Sequence, residues 1–424
     1  MLIQFTVSNF TSYKDKKILS LKPIPSIKEH KDRLIFSNKE EYLPSTAIYG
    51  ANASGKSNLT KALTCAILMI RNSHLQQVNM PTGIIPFLLD EKSKKYKTSM
   101  EFIFVQNDIK YVYGFICDSK CIYEEYLYKY NSRKPTLIFE RTNVNNYEYN
   151  SPEIKKELKT CETKNLDNML FLSTATQWNC KSTRDAYQWF IEKIDTYSPE
   201  MIKNNIVNYL DINKNNKELK PFLLNIFKHA DINITDYVFE SKKMDPEKVQ
   251  LPPINGLDEK LINSLKQNAI EYKLTTNHKV NVDGVEKEYT LDISQESMGT
   301  QTLLGYGINI INALKKGKTM VVDEIETSLH PMLVRYIVGL FNDKESNPNG
   351  AQLVFTTHDV NLLDLDLFRR DQIYFVEKDE SGTSDLYSLS EYSPRKDENI
   401  RKGYMQGRYG AIPYIESGVE WSER

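Results

Sequence analysis

The segment from Gly50 to Ser57, GANASGKS, has residue types and a spacing that can bind phosphate. It matches the pattern G-x-x-x-x-G-K-[ST] and lies between a predicted strand, STAIYG, and a helix predicted over residues 58–72. In such a loop, backbone N–H groups and the helix N-terminus bind phosphate oxygens, the lysine neutralises them, and the hydroxyl binds Mg²⁺. The predicted nucleotide contacts are Gly50, Asn52, Ala53, Ser54, Gly55, Lys56, Ser57 and Asn58, with Ser57 also a Mg²⁺ ligand.

A predicted apolar strand in the segment TMVVDEIETSLHP, residues 319–331, ends in two acidic residues. Taken alone, this pattern is explained equally well by a buried strand followed by a solvated turn. In a chain with a phosphate-binding loop, it predicts that Asp323 holds Mg²⁺, directly or through water, and that Glu324 polarises an attacking water. Ser328, in the following turn, either caps a helix or lies at an interface with another subunit.

His358 directly follows another predicted apolar strand, in the sequence QLVFTTHD. A lone histidine usually has a structural role. This one, however, follows the carboxyl end of a strand, where open α/β sheets bind ligands. We therefore expect His358 to contact the terminal phosphate, and the predicted catalytic residues are Lys56, Glu324 and His358. The predicted cofactors are ATP and Mg²⁺.

The stretch ISQESMGTQT, residues 293–302, contains one glycine among small polar residues. By composition it is a polar turn at the start of a helix, with Ser294 or Ser297 as the N-cap. The free N–H groups and the dipole of such a helix start attract an anion. Its function therefore depends on what lies opposite it.

The elements around these motifs change type along the chain. From residue 293 onward, strands and helices alternate, which indicates a parallel sheet covered by helices, and a helix is predicted between the strands QLVFTT and IYFV. Further upstream, successive strands are predicted over residues 97–148, and residues 151–230 are mostly helical. Strands then return around a predicted turn at Asp283 and Gly284.

Composition narrows the class of protein. In 424 residues, Lys and Arg total 55 and Asp and Glu total 56, so no overall charge attracts the chain to nucleic acid or to an anionic membrane. We expect a cytoplasmic protein without membrane contact, because the N-terminus has no export signal and no segment reaches the roughly 18 apolar residues of a membrane span. Reduced thiols are expected rather than a zinc site, with Cys117 and Cys121 on adjacent strands. The cysteines are Cys65, Cys117, Cys121, Cys161 and Cys180.

The sequence ESMGTQ resembles the signature of ABC-type ATPases, in which a serine and a glycine at a helix N-terminus bind the γ-phosphate held by another subunit. Ser297 and Gly299 take those positions, whereas Met298 and Thr300 depart from the usual residues. One loop and one signature in each chain imply a head-to-tail homodimer that encloses ATP. The resemblance places Ser328 and His330 nearest the partner subunit.

The order of these motifs, together with the opening F-x-V-x-N-F-x-S-Y (Phe5 to Tyr13), is similar to the SMC, RecF and OLD branch of ABC ATPases. Within that branch, D-E-I-E-T-S-L-H-P and G-R-Y-G-A-I-P (Gly407 to Pro413) resemble most closely the bacterial defence ATPases of the RloA and abortive-infection type. This resemblance implies an α/β fold, namely an ABC-type P-loop ATPase head with a mixed sheet, an antiparallel β lobe and an inserted helical subdomain.

The expected organisation follows from this resemblance and from the pattern of elements. The segments are the N-terminal part of the head with the loop (1–96), a β-rich lobe (97–150), a helical insertion (151–230), strands returning to the head (231–292), the C-terminal part of the head with the signature, the acidic strand and His358 (293–390), and a tail (391–424). The chain departs from SMC proteins because it lacks long coiled-coil arms. It also departs from OLD nucleases because too few residues follow His358 for a TOPRIM domain.

The resemblance implies an ATPase that acts as the sensor or gate of an anti-phage system and controls a separate effector, either TOPRIM-like or another toxic nuclease. The alternative is an SMC- or RecF-like ATPase of DNA repair or maintenance, in which the dimer binds DNA. The near-neutral charge of the chain favours the first function over the second.

Two further sites are predicted, and for each of them a purely structural role is the alternative. The family places a Mg²⁺-sensing glutamine between loop and signature. Gln177, interpreted as following a strand in FLSTATQWN, is the candidate, and otherwise it is a surface residue. The C-terminal run RKGYMQGRYGAIPYI mixes basic and aromatic residues that could bind single-stranded nucleic acid, although packing on the head is favoured. Its basic residues are Arg401, Lys402 and Arg408, and its aromatic residues are Tyr404, Tyr409 and Tyr414.

Overall fold

The computed structural model describes residues 1–249 and 258–413, which form two compact units. The first unit contains Met1–Ser198, Ala313–Thr327 and the described residues from Pro331 onward. The second contains Pro199–Asn312, apart from the undescribed residues, and Ser328–His330. In the described part of the chain, no helix combines the length and apolar character needed to cross a membrane.

The secondary structure of the described residues consists of the following elements. The strands β1 to β18 are Leu2–Ser8, Lys17–Ser20, Ile35–Ser37, Glu40–Tyr42, Ser45–Gly50, Thr98–Gln106, Ile109–Cys117, Ile122–Tyr130, Thr136–Thr142, Asn146–Glu148, Ile194–Tyr197, Asp236–Lys243, Ile270–Val282, Val285–Asp292, Thr319–Val322, Gln352–Thr356, Ile373–Lys378 and Ser384–Ser388. The helices α1 to α11 are Lys56–Asn72, Pro152–Glu162, Phe171–Gln177, Lys181–Glu192, Pro199–Asn204, Ile206–Ile212, Leu219–His229, Glu259–Gln267, Met298–Lys316, Pro331–Asn342 and Ile400–Met405.

A six-stranded sheet in the first unit has the order β11-β15-β16-β5-β17-β18. Its first five strands are parallel, and β18 runs antiparallel to β17. Strands β5, β15 and β16 are buried along their whole length, as expected for a parallel sheet covered on both faces. The predicted parallel sheet is confirmed. Because these strands point the same way, the residues that follow them lie at one edge.

A seven-stranded antiparallel sheet, with the order β10-β9-β8-β7-β6-β1-β2, completes the first unit. Alternate residues of β6 face a core where Phe102 and Phe104 pack against Trp189 and Phe190 of α4. The residues between them on β6, including Glu101 and Ile103, lie on the opposite, more accessible face. The predicted fold class, an α/β head with a mixed sheet and an antiparallel lobe, is confirmed.

The second unit contains the antiparallel sheet β12-β13-β14, helices α5 to α8, and α9 as far as Asn312. Two glycines of α9 allow close packing, because a Cβ at Gly305 would lie 2.6 Å from a methyl of Ile202, and one at Gly307 would lie 2.5 Å from a methyl of Leu223. The predicted turn between β13 and β14 is confirmed, and Asp283 has a positive φ of 54° there.

The division into units differs from the predicted segments. Residues 151–230 are not a single helical insertion, because β11 within them is a strand of the parallel sheet and the second unit begins only at Pro199. The strands of 231–292 and the start of α9 also belong to the second unit rather than to the head. Strand β11 has only four residues between helical segments, so it gives little periodic signal.

The helix predicted between QLVFTT and IYFV is wrong. The described residues there contain only short 3₁₀ turns, at Val360–Leu362 and Arg370–Gln372. Asp359 accepts the backbone N–H of Asn361, and Asp364 accepts that of Asp366. Such local bonds from aspartate side chains favour turns over a continuous helix.

The cysteines are free thiols in the structure. Cys117 ends β7, and Cys121 lies in the turn before β8 rather than within that strand. Burial raises the pKa of the Cys117 thiol, so it is a protonated, apolar core residue at neutral pH.

Candidate functional site

The loop that follows β5 has the conformation of an anion-binding cradle. Ala53 and Gly55 have positive φ angles of 62° and 116°. Gly55 is the N-cap of the 17-residue helix α1 and supplies no side-chain cap. The first N–H groups of α1 therefore remain available for an external acceptor.

The predicted loop residues differ in exposure. Asn52 and Ala53 are exposed at the tip, whereas Ser54, Gly55 and Lys56 are buried. The hydroxyl of Ser54 is buried without a hydrogen-bond partner within the described part of the chain. The predicted residues Ser57 and Asn58 lie half-buried in the first turn of α1, and Gly50 ends β5.

Side chains from distant parts of the first unit hold the loop from behind. The Ser384 hydroxyl donates to the Ser54 carbonyl at 2.6 Å and contacts the Ser12 hydroxyl at 2.8 Å. The Tyr13 hydroxyl donates to the Gly55 carbonyl at 3.0 Å. A Cβ on Gly55 would lie 2.1 Å from the Ser384 Oγ, so only glycine fits there. The sequence motif that ends in Ser12 and Tyr13 thus supports the loop.

Lys56, the first residue of α1, has only 4 % of its surface exposed. Its Nζ donates to the carbonyl oxygens of Gly50 at 2.8 Å and Ala51 at 3.0 Å, and it lies 3.5 Å from the Nδ1 of His358. Burial lowers the pKa of Lys56 to about 8, against the opposing effect of nearby acids led by Glu326. The ammonium group is therefore desolvated and available for a stronger anionic partner.

The end of β15 is tied to the end of β16 by one hydroxyl. The Thr356 Oγ1 donates to the Asp323 carboxylate at 2.6 Å and accepts the backbone N–H of Glu324 at 2.7 Å. Glu324 itself has a positive φ of 48°, an unusual conformation for a side chain of this size. These contacts fix the orientation of Asp323 and the backbone at Glu324.

A third carboxylate, which the sequence analysis did not predict, lies beside Asp323 and Glu324 in the sequence. Glu326 accepts the backbone N–H of His358 at 2.6 Å, and its other oxygen is buried without a partner among the described residues. Burial, and then the charge of Lys56, lower the pKa of His358, so its ring is neutral at pH 7. The sequence E-I-E gives only a weak signal for Glu326, because the pattern alone does not show that both Glu324 and Glu326 belong to the site.

The structure therefore brings the catalytic residues predicted in the first unit to one edge of the parallel sheet. Lys56 follows β5, His358 follows β16, and Asp323 and Glu324 follow β15, which neighbours β16. The charges of Glu326, Glu324 and Asp323 act on the Lys56 ammonium group and partly oppose the lowering of its pKa by burial.

The interpretation of Gln177 as a residue that follows a strand is wrong. Gln177 is the last residue of α3 and is exposed. Helix α3 contacts the turn that follows α1, where the Ser73 hydroxyl accepts the N–H of Leu170, so it lies at the end of α1 remote from the loop.

Strand β11, rather than α3, reaches the edge of the parallel sheet that holds Asp323. It pairs with β15, and the carbonyl of Tyr197 at its end accepts the N–H of Asp323 at 3.0 Å. The next residue is Ser198. The sequence analysis identified neither Tyr197 nor Ser198 at this edge, because it predicts residues 151–230 as mostly helical.

The predicted signature lies in the second unit at the start of α9. Ser297 precedes the helix, and its Oγ accepts the N–H of Thr300 at 3.1 Å, so it caps the helix as predicted. Ser297 and Met298 are exposed. A Cβ on Gly299 would lie 2.9 Å from the carbonyl oxygen of Ser328, which also belongs to this unit.

A buried carboxylate anchors the residue before the signature. Glu296 Oε1 contacts the Nε2 of His278 at 2.7 Å and accepts a hydrogen bond from the Thr276 hydroxyl. The Gln301 amide donates to the Glu296 carbonyl at 2.9 Å. Strand β13 therefore fixes the segment that leads into Ser297, a contact that the sequence pattern did not predict.

The C-terminal run packs on the first unit. The rings of Tyr404 and Tyr409 are buried and stack on Phe375 at 5.4 and 5.9 Å between ring centroids. Arg408 forms an ion pair with Glu398. The preferred interpretation, packing on the head, agrees with these contacts, whereas Tyr414 lies outside the described residues.

The residues at the sheet edge fit a nucleoside triphosphate with Mg²⁺. The uncapped start of α1, the unpartnered Ser54 hydroxyl and the buried Lys56 ammonium suit phosphate oxygens. The hydroxyl of Ser57 and the carboxylate of Asp323 are the hard oxygen ligands that Mg²⁺ takes in such sites.

Two solved structures are similar to the chain only at low sequence identity. The SmcHead bound to the C-winged helix domain of ScpA has 13 % identity and a TM-score of 0.38, with 91 % of this chain and 97 % of that chain covered. The Smc head domain with an extended coiled coil, bound to the C-terminal domain of ScpA derived from Pyrococcus furiosus, has 13 % identity and a TM-score of 0.41, with 92 % and 97 % covered. No curated protein matches the sequence.

A protein family matches most of the sequence. The family described as "AAA domain, putative AbiEii toxin, Type IV TA system" matches residues 45–364. This range contains the loop, the signature, both acids after β15 and His358. The chain therefore belongs to the family described as "AAA domain, putative AbiEii toxin, Type IV TA system", and it is a P-loop ATPase of that family.

Proposed function

We propose that the chain hydrolyses ATP with Mg²⁺ at the edge formed by β5, β15 and β16. Lys56 neutralises the β- and γ-phosphates, Ser57 and Asp323 hold Mg²⁺, and Glu324 polarises the attacking water. The observation that carries the proposal is the convergence on Lys56, whose Nζ lies 3.5 Å from the Nδ1 of His358 and whose charge interacts with the acids that follow β15.

The neighbouring residues prepare these groups for the reaction. Thr356 orients Asp323 through its hydroxyl, and it also holds the backbone of Glu324. Glu326 holds the backbone of His358. A neutral imidazole can donate from one nitrogen to the γ-phosphate while the other lies near Lys56. Preorganised groups of this kind lower the barrier because they need little rearrangement.

The proposed active form is a head-to-tail homodimer in which Ser297 and Gly299 of each subunit complete the site of the other. One loop and one signature occur in each chain, so a two-fold axis would produce two equal sites. The exposed start of the 19-residue helix α9 supports this arrangement, because its N–H groups can contact an anion from outside the chain.

The proposed cellular role is that of sensor or gate in a bacterial anti-phage system of the abortive-infection type. The description of the matching family, which names a toxin and a type IV toxin–antitoxin system, supports this role. ATP would close the dimer in the cytoplasm, and hydrolysis would open it to control a separate effector such as a TOPRIM-like or other toxic nuclease. The chemically committed residues of the described chain serve the nucleotide site, so the effector is assigned to another protein.

The Glu324→Gln variant tests the catalytic proposal. We expect ATP hydrolysis to fall about 10²- to 10⁴-fold, as for loss of a general base, while ATP binding persists and the dimer accumulates. Phosphate release and light scattering after gel filtration, with ATP and Mg²⁺, measure both effects. Glu345→Gln, an exposed glutamate in the turn after α10, is the matched control. Hydrolysis by Glu324→Gln at the wild-type rate would contradict the role of Glu324.

Affinity purification of the tagged Glu324→Gln protein, expressed from its native locus with ATP and Mg²⁺, tests the cellular role. A nuclease or other toxic protein in stoichiometric amount would support the sensor role. A homodimer that carries only DNA would overturn it in favour of a DNA repair or maintenance ATPase.

A further inference from the structure

The outer face of the antiparallel sheet in the first unit is only partly covered. Near β1 and β6, a small apolar cluster that includes Tyr42 of β4 packs with Val105 and Ile103, whereas Glu124, Glu140 and Glu148, further along the sheet, are exposed or half-buried. Alternate residues of β8 point to this face, and three of them are tyrosines: Tyr126, Tyr128 and Tyr130. All three are half-buried, while Leu127 between them is fully buried on the core face. The outer face of β8 is therefore a row of aromatic rings open to solvent.

A glycine on the neighbouring strand sets the position of Tyr126. Gly114 lies directly across from Tyr126, and a Cβ at Gly114 would lie 2.4 Å from the tyrosine hydroxyl oxygen. The ring crosses this gap, and its hydroxyl donates to the Glu101 carboxylate on β6 at 2.6 Å. The ring of Tyr126 therefore extends across β7 toward β6 rather than straight out into solvent.

Carboxylates surround the tyrosine row. The cross-strand register places Glu140 of β9 opposite Tyr126, and Glu148 of β10 opposite Glu140. Two like charges directly opposite each other are destabilising in a sheet. Within residues 1–249 and 258–413, neither glutamate forms an ion pair, and the same is true of Glu101 and Glu124 on this face. The middle of this face therefore holds four glutamates, none of which is paired with a cation among the described residues.

The end of the same row already shows how a cation can bind. Lys110 of β7 lies opposite Tyr130, and its Nζ is 4.2 Å from the centroid of that ring. The surroundings of Tyr128 are acidic. Burial raises the pKa of its phenol, and the negative charges of Glu140 and Glu148 raise it further. The middle of the row thus has the aromatic surface and the negative charge for a cation, but the cation is supplied only at its end.

We propose that this face, which we term the tyrosine–glutamate face and define as Glu101, Glu124, Tyr126, Tyr128, Glu140 and Glu148, is a docking site for an arginine-rich segment of a partner protein. A guanidinium group stacks on a tyrosine and pairs with a carboxylate at the same time. Tyrosines two residues apart on a strand are separated by about 6.8 Å, which equals the spacing of alternate side chains in an extended peptide. Arginines at every second position would therefore match the row.

The charge of the face decides between classes of partner. Four carboxylates repel the phosphates of a nucleic acid, whatever the aromatic content. A basic peptide gains from both the aromatic rings and the acids. The docking site requires neither ATP nor a dimer, so its test does not depend on the proposed hydrolysis.

The test uses a fluorescent (Arg-Thr)₄ peptide and the full chain, with binding followed by anisotropy at low salt. We expect the triple variant Glu124→Gln, Glu140→Gln, Glu148→Gln to bind about tenfold more weakly, since each exposed charge pair or cation–π contact contributes a few-fold in affinity. The matched control, Glu192→Gln, Glu345→Gln, Glu380→Gln, changes three exposed glutamates elsewhere and should bind within about twofold of wild type. Tyr128→Leu should weaken binding by a few-fold without loss of apolar area.

Circular dichroism and thermal unfolding verify that each variant folds. Equal weakening of the two triple variants would overturn the proposal, because overall charge would then explain the binding. Competition between a single-stranded oligonucleotide and the peptide for the wild-type chain would also overturn it. So would a monomer–dimer equilibrium in the first triple variant that differs from that of the wild type, because the face would then bind a second copy of the chain. No detectable binding of (Arg-Thr)₄ by the wild-type chain at millimolar concentration would overturn it directly.

Discussion

The phosphate-binding loop and the start of α9 are both helix N-termini suited to an anion, but they are built in opposite ways. The loop is buried, and Lys56 is only 4 % exposed. Ser12, Tyr13 and Ser384 hold it from positions far away in the sequence. The start of α9 is exposed, with Met298 50 % accessible. Its cap, Ser297, comes directly before the helix in the sequence.

The difference corresponds to two kinds of binding. A loop whose backbone is fixed by several hydrogen bonds from distant residues is preorganised and can bind a nucleotide within one chain. An exposed helix start held mainly by Glu296 and its partners suits an anion presented by another molecule. In the proposed dimer, the first region therefore determines affinity, and the second determines whether the closed state forms.

The largest expected effects come from one substitution in each region. Lys56→Met should weaken ATP binding about 10- to 100-fold, because a charged hydrogen bond is worth about 1.5–3 kcal/mol, and it should abolish turnover. Ser297→Arg should reduce turnover about 100-fold while ATP binding stays within about twofold. Fluorescent-nucleotide titration and phosphate release measure the two quantities. Loss of nucleotide binding in Ser297→Arg would contradict the assignment of Ser297 to the partner's site.

The same contrast explains which parts of the site were predictable. Lys56, Asp323, Glu324 and His358 follow apolar strands, so their motifs and the strand pattern together indicate one sheet edge. Glu326 was not predicted, because its role comes from a backbone contact with His358 that no local pattern encodes.

The fold was predictable where periodicity was long. The parallel sheet and the β13–β14 hairpin follow from clear strand patterns and a turn signal. The unit boundary at Pro199 was not predictable, because the short strand β11 lies between helices and is identified only by its pairing with β15. Gln177 was misplaced for a related reason, since a short apolar run can form either a strand or a helix.

A smaller effect is expected from the backing of the loop. Gly55→Ala should destabilise the chain by about 2 kcal/mol, because it combines a positive φ of 116° with a contact of 2.1 Å to Ser384 Oγ. Addition of Ser384→Gly should recover only part of this loss, because the backbone strain remains. Urea unfolding measures both values.

Gly339→Ala is the control for that experiment. Gly339 lies within α10, and a Cβ there meets no atom within 4 Å. It should be neutral or stabilise by up to about 1 kcal/mol, as expected for alanine in a helix. If Gly55→Ala is as stable as Gly339→Ala, the loop is not held as tightly as its contacts indicate.

On the signature side, His278→Ala should lower turnover about three- to tenfold and leave ATP binding unchanged, since it leaves the Glu296 carboxylate with one fewer partner. His278→Gln keeps a donor and should restore part of the rate. Steady-state kinetics at saturating ATP separates this effect from binding. An equal rate loss in the alanine and glutamine variants would mean that the hydrogen bond to Glu296 does not position the signature.

The smallest expected effect is a proton uptake at Lys56. With a pKa lowered to about 8, the free lysine is charged below that pH and increasingly neutral above it, whereas bound phosphate favours the charged form. ATP binding at pH 8.5 should therefore take up about 0.8 proton, and affinity should fall as pH rises above 8. Calorimetry in two buffers of different ionisation enthalpy measures the uptake. Lys56→Arg, which keeps its charge, should show no uptake at this site, and equal uptake in both proteins would assign the proton to another group.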